Sequence, residues 1–323
     1  MKHVYWLMLV AAVVGHAGLA FAQAYPSRPV RLIVPFAPGG PNDVIGRLVG
    51  QKITEQLGQA VVIENRGGAG GTIGLDAAAR FPGDGYTLAM GGSSTMAVAP
   101  ALYPKLPYDP LKDFTPVINV AHVPYAIGIN PTVPAKTVKE LVAIAKRRAN
   151  YLSYGSSGFG SMSSLSAELF KALSGTQIVQ VSYKGTAPAL TDVVSGQIDM
   201  MFADLSLIQN LAKAGRLRLI AVTGSKRSPA ARNVPTVMES GLKGYAIEPW
   251  FGVVGPAGVP RDIVTRLNGV IAAGLKAPDM MQRLEALGYE PIGGTAEQFA
   301  ATIRADLPKY AKIVRTAGIK AEL

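Results

Sequence analysis

Three times between residues 30 and 100 a β-branched apolar run gives way to a glycine-rich turn and then to a helical pattern. Val30–Pro35 leads into Phe36-Ala37-Pro38-Gly39-Gly40, and a helix follows from about Asp43 to Leu57. Ile45, Val49, Ile53 and Leu57 lie four residues apart there, which puts one apolar stripe on one face. Asp43 suits the helix's N-cap region. Ala60–Glu64 precedes Gly67-Gly68-Ala69-Gly70-Gly71 and a helix through Ala79; Tyr86–Met90 precedes Gly91-Gly92-Ser93-Ser94-Thr95 and another helix. Strand, glycine loop and helix in repetition specify an α/β chain with parallel strands.

Two long extended stretches interrupt the alternation, Val117–Asn130 and Tyr245–Gly255. Between them the pattern gives helices over Thr137–Asn150, Gly160–Leu173, Ala187–Gly196 and Leu207–Ala214. Strands are expected at Leu152–Gly155, Ile178–Ser182, Ile198–Phe202 and Leu217–Thr223. Helices near Arg261–Lys276, Met280–Leu287 and Ala296–Ala317 close the chain. At 323 residues, one core is near its size limit. The expected organisation is therefore two lobes: residues 23–126 with 248–323, and residues 127–247. Each lobe is expected as a mainly parallel sheet flanked by helices, with two crossing strands as a hinge and a cleft between.

Residues 1–22 read as a signal peptide: Lys2 and His3, an apolar run from Val4 to Val14, and Ala20-Phe21-Ala22 as a small-x-small cleavage site. Cleavage near Ala22/Gln23 implies export, with the periplasm as the compartment. The chain has no cysteine, which removes disulfides, thiolate nucleophiles and Cys-ligated metal. His122 is the one histidine beyond the signal, so neither a His-pair zinc site nor a self-evident Ser-His-Asp triad is available. It is expected as a satisfied neutral residue. The net charge of +11 is spread along the chain and favours anionic ligands, not a nucleic-acid footprint.

In open α/β sheets, ligands bind where strand ends meet helix starts. The loops at such places are Phe36–Asp43, Gly91–Thr95, Ser156–Ser161 and Lys184–Thr186. Small residues let backbone N–H groups approach a ligand, and helix starts carry partial positive charge. Glycine and serine are also ordinary turn and cap residues. No single loop identifies a ligand; two loops facing two others across a cleft would. Gly67–Gly74 reads as mainly structural. Gly155-Ser156-Ser157-Gly158-Phe159 is not a Gly-x-Ser-x-Gly elbow, and no Walker loop occurs. Asp43, Asp199 and Asp204 each have a capping or strand-end role open to them, Asp204 also a ligand's donor group. Phe36, Phe159 and Trp250 are either pocket lining or core.

The string Tyr25-Pro26-Ser27-Arg28-Pro29-Val30-Arg31-Leu32-Ile33-Val34-Pro35-Phe36-Ala37-Pro38-Gly39-Gly40, with Asp43 after it, resembles the start of a mature Bug receptor. These are the TctC-like solute-binding proteins of tripartite tricarboxylate transport systems. Val62-Ile63-Glu64-Asn65-Arg66-Gly67-Gly68, Asp84-Gly85-Tyr86-Thr87-Leu88, Tyr183-Lys184-Gly185-Thr186-Ala187-Pro188 and Gly255-Pro256-Ala257-Gly258-Val259-Pro260 continue the likeness in order. The resemblance implies a two-lobe periplasmic-binding-protein type II fold. It also implies capture of a small organic carboxylate for membrane permease subunits, without catalysis, metal or cofactor, by a monomer. The site it implies is Phe36, Ala37, Gly39, Gly40, Asp43, Ser93, Ser94 and Thr95 from one lobe. The other lobe would supply Ser156, Ser157, Gly160, Ser161, Lys184, Gly185, Thr186 and Asp204. Many relatives carry His-Leu where this chain has Ser164-Leu165, which puts a hydroxyl in place of a bulky donor. A ligand sensor for a signalling partner and an exported hydrolase are the alternative functions.

Overall fold

The computed structural model describes residues 25–319; the expected signal segment, 1–22, lies outside them. Two sheets form. The first runs β11-β4-β10-β3-β1-β2 and the second β7-β6-β8-β5-β9. The first-sheet strands are β1 (Val30–Val34), β2 (Val61–Asn65), β3 (Thr87–Gly92), β4 (Phe114–His122), β10 (Trp250–Pro256) and β11 (Glu290–Gly293). The second sheet holds β5 (Tyr125–Ile129), β6 (Ser153–Ser156), β7 (Val179–Ser182), β8 (Met200–Asp204) and β9 (Arg218–Val222). The α/β character and the two-lobe arrangement agree with the sequence.

Strand direction departs from expectation. β1 is parallel to β2 and β3, but β10 runs antiparallel to both β3 and β4. In the second sheet β6 is parallel to β7 and β8, while β5 opposes β8 and β9. Both sheets are mixed, not mainly parallel. The physical reason is the crossing: β5 and β10 follow the two passages between sheets, so the chain enters each from the far side. The passages lie at Val123-Pro124 and just before Trp250, and the Val123 N–H donates to the Pro249 carbonyl at 2.9 Å, tying one to the other.

Helix α1 (Pro41–Leu57) begins two residues before the expected start, with Gly40 as cap and Pro41 at its first position, where a missing N–H costs nothing. Its Ile45, Val49 and Ile53 are fully buried, each contributing about 1.5–3 kcal/mol. α2 (Thr72–Ala79) follows β2, and a π-helical turn (Ser94–Val98) with α3 (Ala99–Leu102) follows β3. Around the second sheet lie α4 (Val138–Arg147), α5 (Met162–Ser174), α6 (Thr186–Ser195) and α7 (Leu205–Lys213). α8 (Arg261–Leu275), α9 (Pro278–Ala286) and α10 (Ala296–Ala317) complete the chain. A capping box of Thr295 and Gln298 starts α10. This helix packs against β4 and also against α5, so it touches elements of both sheets.

Candidate functional site

The loops after β1 and β3 meet the loops after β6 and β7 where the two sheets face each other. The pocket at their junction is lined by Phe36, Gly40, Pro41, Asn42, Ser94, Tyr125, Ser157, Met162, Thr186 and Phe251. Gly40, Ser94, Ser157 and Thr186 come from four separate strand-to-helix junctions, two on each sheet. The approach is close: a Cβ on Gly40 would stand 3.4 Å from Thr186 Oγ1. The free volume is about 20 Å³, room for about one water. Three hydroxyls and the start of α1 therefore converge on one small, buried space. Such donors, with the partial positive charge of a helix N-terminus, suit an anionic oxygen.

Five expected residues line this pocket: Phe36, Gly40, Ser94, Ser157 and Thr186. The others stand around it with other partners. The Gly39 N–H is not free for a ligand, because it donates to Asp43 Oδ2 at 3.0 Å. Asp43 also accepts from Arg47 and Asn65 at 3.0 Å each. Burial pushes its carboxyl up, but the hydrogen bonds from Arg47, Gly39 and Asn65, with the Arg47 charge, hold it below the usual range. Asp43 thus braces the loop as a charged carboxylate. Ser93 Oγ accepts the Trp250 N–H at 3.0 Å, and Thr95 Oγ1 accepts from the Gly92 amide at 3.2 Å. Ser156 and Ser164 both accept from Gln180 Nε2, at 2.9 and 3.1 Å. The Ser164 hydroxyl thus accepts from Gln180 and keeps its own hydrogen to donate.

Ser161 caps α5, accepting from the Ser164 N–H at 3.3 Å. Its hydroxyl also lies 2.9 Å from that of Ser163, which in turn accepts from the Ser157 amide at 2.9 Å and meets the Ser157 hydroxyl at 3.1 Å. Sequence reasoning did not single out Ser163. The signal was present in Ser161-Met162-Ser163-Ser164, a polar cluster opening an apolar helix. Ala37 and Gly185 press on each other across the sheets: a Cβ on Gly185 would be 2.7 Å from that of Ala37. Lys184 is exposed. Gly160, at φ +74°, packs beside Leu102 and Tyr103.

Asp204 does not line the pocket. It caps α7 through the Ser206 amide at 2.7 Å and accepts a hydrogen bond from the Tyr289 hydroxyl. Burial pushes its carboxyl up to about 6, against the hydrogen bonds from Tyr289 and Ser206. Of the two roles open to Asp204, the structure assigns the cap. Trp250 is turned away from the junction, edge-on to Phe299 with 5.3 Å between ring centroids, while its neighbour Phe251 lines the pocket. Strand alternation allows only one of the two to face inward. His122 also departs from expectation, since its buried Nδ1 meets no partner. Gly67–Gly74, read as mainly structural, contributes to the seam between the sheets: Gly70, at φ +63°, faces the Phe159 carbonyl, 2.3 Å from where a Cβ would stand.

A larger cavity, about 370 Å³, opens on the hinge between His122, Lys226, Arg227 and Glu248. Two of its charged groups have partners: Glu248 accepts from the Ser225 hydroxyl at 2.6 Å, and Arg227 pairs with Glu239 at 2.9 Å. This cavity is the roomier of the two, but convergent donors favour the junction, and convergence is what fixes a small polar ligand.

Residues 45–319 match the model of the tripartite tricarboxylate transporter family receptor, TctC. The chain belongs to this family. It is 35% identical over 318 residues to protein BugT of Bordetella pertussis, covering 97% of this chain and 98% of that one. Among solved structures it is similar to an R. palustris protein determined with adipate, at TM-score 0.88 and 38% identity over 92% of this chain and 99% of the other. It is also similar to MatC from Rhodopseudomonas palustris with bound malate, at TM-score 0.86 and 33% identity over 90% and 100%. The receptor class, the two-lobe fold and the transport role read from the sequence all stand with this family. Among the described residues no helix is long and apolar enough to cross a membrane.

Proposed function

We propose that the chain captures a small organic carboxylate between its two sheets and hands it to the membrane subunits of a tripartite tricarboxylate-type permease. The observation that carries this reading is the convergence of Ser94, Ser157 and Thr186 with the N-terminus of α1 on one buried space. Relatives solved with adipate and malate support the ligand class. The lobe boundaries are taken at the two passages, Val123-Pro124 and just before Trp250, close to those expected at 126/127 and 247/248, so that β5 falls wholly in the second lobe. Of the expected residues, Gly40, Ser94, Ser157 and Thr186 contact the ligand; Asp43, Ser156, Ser161 and Ser164 hold the contacting groups in place.

With room for about one water, the junction admits a dicarboxylate only if the lobes part and reclose, hinged at the two passages. The chain works as an exported monomer, released near Ala22/Gln23, that binds without turnover. Thermal melting against mono-, di- and tricarboxylates tests the central part. A true ligand at 100 times its Kd stabilises the fold by about 2.7 kcal/mol, a shift of several degrees. A panel in which no carboxylate raises the melting point would refute carboxylate capture.

A further inference from the structure

Asn42 occupies the second position of α1, only 6% exposed, and lines the pocket between the sheets. Its Oδ1 is buried and meets no hydrogen-bond donor. An acceptor left so carries the desolvation cost of an unmade hydrogen bond, which native proteins rarely tolerate without a ligand or water to relieve it. The surroundings sharpen the point. The Ser94, Ser157 and Thr186 hydroxyls that share the pocket can all donate, and so can backbone N–H groups at the helix start. Asn42 Oδ1 is an acceptor set among donors. A bare carboxylate matches the donors but offers this oxygen nothing to accept.

We propose that Asn42 is a specificity-determining residue: its Oδ1 accepts from a hydrogen-bond donor that the ligand carries on the carbon next to its carboxylate. The favoured class is then 2-hydroxy and comparable donor-bearing carboxylates, over the same acids lacking the donor. This rests on the carboxylate reading of the pocket and narrows it. A site that hydrogen-bonds a substrate hydroxyl penalises the analogue without it, because the site's own polar atom is then left buried and unpaired.

The test is calorimetric titration of matched pairs into the full chain: lactate and propionate, malate and succinate, citrate and tricarballylate. In at least one pair the hydroxylated member is expected to bind about tenfold or more tightly. In Asn42→Leu, and in Asn42→Ala as a smaller replacement, that ratio should fall to about one, with circular dichroism confirming the fold. A general loosening of the pocket would weaken both members alike and leave the ratio intact. Equal or tighter binding of every deoxy member to the parent, read without any variant, overturns the inference while the carboxylate reading stands. So does a preference that survives in a folded variant. Absence of binding by all six acids and of any melting shift across the wider carboxylate panel defeats the carboxylate reading and the inference with it; absence of binding by the six with a shift from a donor-free acid such as adipate overturns the inference alone.

Discussion

Ser163 organises the second-sheet side of the pocket. Its hydroxyl receives the Ser157 amide and touches the hydroxyls of Ser157 and Ser161, so it sets where Ser157 points. Ser157→Ala is expected to weaken ligand binding by about 1–3 kcal/mol, since it removes one hydrogen bond to a charged partner. Ser163→Ala should also weaken binding while touching no ligand atom. Calorimetry on whichever carboxylate binds the parent checks both; affinities equal to the parent's would remove the serine cluster from the site. Asp204 carries a separate expectation. Burial pushes its carboxyl up to about 6, above the ordinary aspartate range, so the folded state favours the protonated form. Its contribution is fully present below about pH 4 and is lost as pH rises through about 6. Asp204→Asn keeps an acceptor for Tyr289 but does not ionise. The stability of the parent relative to Asp204→Asn should therefore fall between pH 4 and pH 7. A difference that stays flat over that range contradicts the raised carboxyl. The role of Asp204 lay half in view in the sequence, at a strand end before a helix; its tie to Tyr289, 85 residues away, had no local signal.

At the level of elements, the loop Gly67–Gly71 closes on the loop after β6. Gly70→Ala places a methyl against the Phe159 carbonyl at a positive φ, so it strains the apposed form. An opened form escapes the clash. Apparent ligand affinity should drop about tenfold or more, as the competent fraction shrinks, while helix content is retained. Unchanged affinity would take this loop out of closure. Gly40→Val should abolish binding for a related reason: its side chain would fill the gap to Thr186 Oγ1. The local patterns that made strands and helices legible were strong where burial is one-sided, as in Ile45, Val49 and Ile53 of α1. They failed for β11, whose Glu290-Pro291-Ile292-Gly293 has neither alternation nor β-branched enrichment and pairs with β4 at the sheet's edge. Strand direction was hidden for a different reason. Nothing in the residues of β5 or β10 records from which side the chain arrives. Asn42 fell inside the segment Phe36–Asp43 singled out in the sequence, but only the fold shows that its Oδ1 ends without a donor.

Across the whole molecule, the two passages at Val123-Pro124 and before Trp250, tied by one backbone hydrogen bond, form the simplest axis for opening. The C-terminal helix α10, packed on both β4 and α5, opposes free separation. A ligand that closes the lobes should lower the radius of gyration in solution scattering, and an unchanged value on saturation would count against hinged capture. Trp250 is a poor reporter of that motion. It is buried, with its Nε1 donating to Asp306, and faces away from the junction. The order of motifs along the chain revealed the receptor family, and the lobes followed from the two extended stretches. Which cavity serves the ligand was not legible, because it depends on how four distant loops meet. A crystal structure of the chain with its tightest-binding carboxylate addresses this most directly. The carboxylate is expected between the sheets, within hydrogen-bond distance of Ser94 on one side and of Ser157 and Thr186 on the other. A ligand seated instead in the hinge cavity beside His122 and Lys226, with the junction unchanged, would contradict it.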